Sequence, residues 1–123
     1  QRKMAAPRGI ILLVFYGEDD FMLSVEKRKG DLVVRLTGDI DHNAASRLCL
    51  ALDEAMGKDP DIRRLIFDMR GVEFMDSSGI GMLIGRYKRM KRRGGSVAVT
   101  GAEGRIDRIF TMAGLYQIID KLA

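Results

Sequence analysis

The sequence predicts a single α/β domain, a mostly parallel mixed sheet opened by a β-hairpin, with helices packed on it. Three observations carry this reading. Two strand-like runs are joined by a short loop containing glycine, which is a hairpin signal. Helical and strand-like patterns then alternate to the end of the chain. Such alternation requires right-handed crossovers into a largely parallel sheet. The length, 123 residues, fits one domain with one core.

Each element has its own signal. Phe21–Glu26 and Leu32–Leu36 are the strands of the hairpin, with Lys27, Arg28, Lys29, Gly30 and Asp31 between them. Asn43 can cap a helix over 44–56, whose stripe is Ala45, Leu48, Cys49, Leu52, Ala55 and Met56. Gly57 stops that helix and Pro60 prevents its continuation. Ile62–Met69 is the next strand. A second helix spans about 78–93, with Ile80, Leu83, Ile84 and Tyr87 at i, i+3, i+4, i+7. Gly94 and Gly95 end it, and Ser96–Thr100 is a strand. A third helix at about 103–113 carries Ile106, Ile109, Phe110 and Ala113, and Gly114 closes it. Leu115–Ile119 is a last short apolar segment.

Residues 1–20 differ in character from the rest. Ile10–Tyr16 is a continuous apolar run behind Arg2, Lys3 and Arg8. It is short for the core of a signal peptide and lacks a small-residue cleavage pattern. An extra strand and a non-native leader both remain open. The expected division is an atypical extension over 1–20 and a domain over 21–123.

Composition excludes several functions. No window approaches the ~20 apolar residues that a membrane span needs. Cys49 is the only cysteine, so an intramolecular disulfide is impossible, which fits a reducing, cytoplasmic setting. His42 is the only histidine, so neither a metal centre nor a serine-based catalytic triad is expected. The net charge of +4 invites a nucleic-acid reading, but the excess is local. Arg86, Lys88, Arg89, Lys91, Arg92 and Arg93 crowd one helix end, where cations complement the helix dipole. Tyr87 within that run belongs to the apolar stripe, so aromatic stacking platforms are missing. A basic rim that steers an acidic protein partner is the better expectation. The eight methionines are core filling, with an adaptable binding surface as the alternative.

The most informative stretch is Phe74-Met75-Asp76-Ser77-Ser78-Gly79-Ile80-Gly81. It places two hydroxyls and a carboxylate where a strand turns into a helix. Helix N-termini offer unpaired N–H groups and a positive dipole end, so a phosphate there finds donors waiting. The alternative is plain capping by Asp76, Ser77 or Ser78. Asp41 also follows a strand end, and loops at the carboxyl ends of parallel strands cluster. Asp41 is therefore expected near Ser77, with a turn-forming role or a cap for the 44–56 helix as the alternative.

Phe74–Gly81, continuing into Ile84-Gly85-Arg86-Tyr87-Lys88, resembles the signature of anti-sigma factor antagonists of the STAS-domain superfamily, nearest their sporulation branch. Leu36-Thr37-Gly38-Asp39-Ile40-Asp41-His42 and Arg108–Leu115 resemble two further markers, in the family's order. The likeness covers about 21–119. It implies a phosphorylation-controlled binding switch rather than an enzyme. Ser77 matches the phosphorylated serine. Asp41 matches a carboxylate needed for partner binding, and Asp76, Ser78 and Gly79 flank the same site, with Ser78 the expected cap. The implied partners are an anti-sigma factor with serine kinase activity and a PP2C-type phosphatase. Direct nucleic-acid contact, a membrane and a cofactor are not implied, and a homodimer is possible. A STAS module of another signalling or transport system is the alternative. The family usually adds a helix after the last strand. The sequence ends before one, so Leu115–Ile119 is expected to need cover, with Ile10–Tyr16 as the spare apolar segment.

Overall fold

The structure is a computed structural model that describes residues 21–122 throughout and the backbone of 2–5 and 10–14. The other residues of the 1–20 extension, including Phe15 and Tyr16 of the apolar run, lie outside the described residues, as does Ala123. In chain order the elements are β1 (Arg2–Ala5), β2 (Ile10–Val14), β3 (Phe21–Arg28), β4 (Asp31–Ile40) and α1 (His42–Lys58). Then follow β5 (Arg64–Met75), α2 (Ser77–Arg92), β6 (Ser96–Thr100), α3 (Gly104–Met112), a 3-10 turn at Leu115–Gln117 and β7 (Asp120–Lys121).

Among the described residues the strands form one sheet in the order β1-β2-β3-β4-β5-β6-β7. Pairing is antiparallel up to β4 and parallel from β4 to β7. The hairpin β3–β4 turns at Lys29, whose φ of 57° carries the left-handed bend. Spatial order follows chain order, so each right-handed crossover places its helix on the same side. One core cluster results. It joins Leu23, Val34, Phe67 and Val99 of the sheet to Leu48 and Leu52 of α1, Leu83 and Met90 of α2, and Phe110 of α3.

Three expectations change. Helix α1 begins two residues early, because β4 runs straight to Ile40 and Asp41 is the first side chain able to cap. Its backbone is extended and its Oδ1 accepts from Ala44 N at 3.0 Å, which leaves Asn43 inside the first turn. Strand β5 continues past Met69 to Met75 through register shifts against β4, between Arg35 and Thr37 and between Gly38 and Asp39. Gly71 makes this possible: a Cβ there would lie 2.5 Å from Thr37 Cγ2 and 2.9 Å from the Leu36 carbonyl. Finally, the run from Ile10 does not cover Leu115–Ile119. Strand β2 joins the β3 edge, and β7 lies at the far edge. Leu115 and Ile119 are already in the core, pulled in by the 3-10 turn.

The other face of the sheet is a lattice of paired charges. Glu26 accepts from Arg28 and Arg35, Asp31 from Arg64, and Asp68 from Arg70. Arg35 Nε also stands 3.8 Å from Asp68 Oδ2. Asp68 is only 6% exposed. The Arg70 guanidinium holds its carboxyl below the ordinary carboxylate range, against the opposing effect of burial.

Two predictions follow from packing and charge. Gly71→Ala is expected to destabilise the domain by about 1–3 kcal/mol, because the neighbouring backbone must move. Gly85→Ala, where a Cβ meets nothing within 4 Å, is expected to stabilise by up to about 1 kcal/mol. Urea unfolding of both variants checks the pair. Because the Asp68 pKa is lower in the folded state, its contribution is present above pH about 4. It is lost as the pH falls through the folded value. Asp68→Asn should therefore flatten the acid limb of a stability–pH curve; an unchanged slope would contradict the assignment.

Candidate functional site

The site is made by the ends of two neighbouring parallel strands. Ile40 of β4 pairs with Met75 of β5, and the next residue in each chain segment is an aspartate. Asp41 (φ −91°, ψ −171°) and Asp76 (φ −95°, ψ −171°) have nearly the same extended backbone, and each is the N-cap of the helix that follows. Asp76 Oδ1 accepts from Ser78 N at 2.9 Å and from Gly79 N at 3.4 Å. Asp76 N donates to the Ile40 carbonyl at 3.3 Å, which ties the two caps together. The positive ends of α1 and α2 therefore lie side by side.

His42 and Ser77 are the first residues of these helices. Ser77 thus sits inside the first turn of α2, and Asp76 rather than Ser78 is the cap. The Asp76 carboxylate takes up two N–H groups, and one of them is the amide of Ser78 itself. Ser78 is half-buried, and its Oγ lies 3.3 Å from His42 Nδ1. Ser77 is exposed. Gly79 is buried, and a Cβ there would collide with the Met75 side chain. Gly81 is exposed, and a Cβ there would meet nothing within 4 Å. Of the two glycines, Gly79 is explained by internal packing and Gly81 is not.

A groove beside Ser77 was not legible in the sequence. It encloses about 440 Å³ and is lined by Met75, Asp76, Ser77 and Ile80 on one side and Ile109, Met112 and Ala113 of α3 on the other. Met112 is 87% exposed. The helical stripe had pointed Ile109 and Ala113 into the core. The only sequence signal for the groove was the abundance of methionine. A second, more polar groove of about 620 Å³ flanks the strand ends, with Asp39, Glu73, Glu103 and Arg105 among its lining.

The basic cluster lies at the other end of α2, a helix of 16 residues and so about 24 Å long. Two of its members are structural. Arg86, 7% exposed, pairs with Asp53 of α1 through Nε at 3.2 Å. Arg93 donates to the carbonyls of Met56 at 2.9 Å, Asp59 at 3.2 Å and Ile62 at 3.3 Å, closing the end of α1. Lys88, Arg89, Lys91 and Arg92 remain exposed, far from Ser77. The expected basic rim therefore does not border the site. Among the described residues there is no group of three or more His, Cys, Asp or Glu placed to hold a metal ion. No helix among them is long and apolar enough to cross a membrane.

Residues 22–123 match the model of the STAS domain. The chain belongs to the STAS-domain family. It is 32% identical over 100 residues to the anti-sigma F factor antagonist of Paenibacillus polymyxa, covering 81% of this chain and 85% of that protein. It is 33% identical over 98 residues to the anti-sigma-B factor antagonist of Bacillus subtilis (strain 168), covering 80% and 87%. The fold matches the anti-sigma factor antagonist SpoIIAA in its unphosphorylated form with a TM-score of 0.72, at 22% identity, over 82% of this chain and 88% of that one. The phosphorylated form of SpoIIAA matches with a TM-score of 0.66, at 22% identity, over 82% and 91%.

The cap geometry separates charge from capping at Asp41. Asp41→Ala should cost about 0.5–2 kcal/mol of stability. Asp41→Asn keeps a capping oxygen and should stay near wild type, while losing the charge. Thermal unfolding of the two variants decides this, and equal destabilisation by both would contradict the capping role.

Proposed function

We propose that this STAS-domain protein is an anti-sigma factor antagonist that works as a phosphorylation-controlled binding switch. The observation that carries the reading is the setting of Ser77. It is an exposed hydroxyl in the first turn of α2, at the edge of an apolar groove. The relatives' names and the two forms of SpoIIAA support it.

The unphosphorylated domain binds an anti-sigma factor that is also an ATP-dependent serine kinase, and binding frees the sigma factor. The apolar walls of Ile80, Ile109 and Met112 supply the area to be buried, and the bare surface at Gly81 admits a partner's backbone. Asp41, Asp76, Ser78 and Gly79 hold the shape of this surface. Transfer of phosphate to Ser77 adds about −1.5 to −2 charges. The helix N-terminus accommodates that group without refolding. The bound partner does not: a dianion desolvated against it, with Asp39, Asp41 and Asp76 close in sequence to the same strand ends, is costly. The complex separates, and a PP2C-type phosphatase resets the switch. The working domain is 21–123, in the cytoplasm, and residues 1–20 are an extension outside the docking surface.

Ser77→Asp supplies one charge where phosphate supplies nearly two, so it is a partial mimic. It should weaken binding to the anti-sigma factor roughly tenfold or more. Ser77→Ala should bind normally and resist release by ATP. Calorimetric titration of the co-purified partner, with and without ATP, tests both. Wild-type affinity in Ser77→Asp would remove charge at this site as the switch.

A further inference from the structure

Two adjacent serines open α2, and the structure treats them differently. The Ser77 hydroxyl is exposed, and no hydrogen bond holds it among the described residues. Ser78 is half-buried, and its hydroxyl lies 3.3 Å from Nδ1 of the exposed His42, the first residue of the neighbouring helix. The contact engages Ser78 in either tautomer of the ring. A bare Nδ1 accepts the hydroxyl proton, and a protonated Nδ1 donates to the hydroxyl oxygen. The Ser78 amide is held as well, by Asp76 Oδ1 at 2.9 Å. Ser78 is thus fixed from both sides, and Ser77 is free to rotate into another protein's active site.

We propose that His42 is a specificity-determining positioning residue: by holding the Ser78 hydroxyl, it directs phosphorylation to Ser77. This rests on the switch reading above. In the transfer, a serine oxygen bonds to the γ-phosphorus of ATP. The bond to the β-phosphate oxygen breaks and ADP leaves, while the hydroxyl proton passes to a base of the kinase. To enter a kinase's active site the Ser78 side chain must turn out of its contact with His42, whereas Ser77 has no such contact to lose. Neither His42 nor Ser78 touches the phosphoryl group in the productive reaction, so His42 acts through Ser78 alone.

The test uses the full chain, the anti-sigma factor kinase that co-purifies with it, and ATP, with the phosphate mapped by mass spectrometry. Wild type should carry phosphate on Ser77. His42→Ala should raise the ratio of Ser78 to Ser77 phosphate roughly two- to tenfold, the range one hydrogen bond spans. His42→Asn, whose amide nitrogen falls near the position of Nδ1, should restore the wild-type ratio. A purely structural role for His42 would change rates at both serines and leave their ratio alone. Phosphate confined to Ser77 in His42→Ala overturns the proposal while leaving the switch intact. Phosphate on Ser78 alone in wild type, or on neither serine, overturns the phosphoacceptor reading and this proposal with it. An independent arm follows the imidazole nitrogens of His42 by NMR in wild type and Ser78→Ala. Signals unchanged by loss of the Ser78 hydroxyl would also overturn it.

Discussion

The hydrogen bond from Asp76 N to the Ile40 carbonyl marks the constraint on which the site depends. Two parallel strands end at the same level, and both chains must leave the sheet in the same direction to begin a helix. The register shifts between β4 and β5, permitted by Gly71, bring Ile40 level with Met75. Without them the two ends would be staggered and the two caps would not meet. Local chemistry then finishes the arrangement. Each aspartate takes up the orphan N–H groups of its own helix, and the first turns face each other across His42 and Ser78.

Much of this was legible from residue pattern. The alternation of elements was plain, and Ser96–Thr100 was read with the boundaries it has in the structure. The errors have physical causes. Asp41 and Asn43 are both good caps, and only the length of β4 decides between them. Strand β5 was cut short at Met69, where the apolar run gives way to Arg70 and Gly71, whereas Gly71 serves a close approach between strands. The convergence of Asp41, Asp76 and Ser77 could be expected from topology. The groove could not, because its α3 wall is Ile109 at the half-buried margin of an apolar stripe with Met112 and Ala113 exposed beyond it, while the stripe's centre, Ile106 and Phe110, is core. A helical period identifies the stripe but does not say where the core stops.

The basic cluster illustrates a different limit of composition. Six cations near one helix end looked like a single patch. Arg86 instead lies buried on Asp53, and Arg93 closes α1 through three carbonyls. These two join α1 to α2 at the end remote from the site, while the caps and the His42–Ser78 contact join them at the near end. The pair of helices is therefore clamped at both ends, which suits the proposed presentation of Ser77 without rearrangement.

The paired charges on the open face of the sheet have a consequence for approach. Because Glu26, Asp31 and Asp68 each sit against arginine, that face projects little field. Among the described residues, exposed groups of charge then stand near both ends of α2. Asp39, Asp41 and Glu73 lie exposed near the site, with Arg105 beside them, and Lys88, Lys91 and Arg92 lie exposed at the far end, where Arg89 pairs with Asp53. The acidic group at the strand ends draws a positively charged surface toward the site. Under the switch proposed above, a phosphate on Ser77 adds to that attraction even as it spoils the fit. On that proposal encounter and residence respond in opposite senses, and release is expressed in the dissociation rate rather than in the frequency of collision.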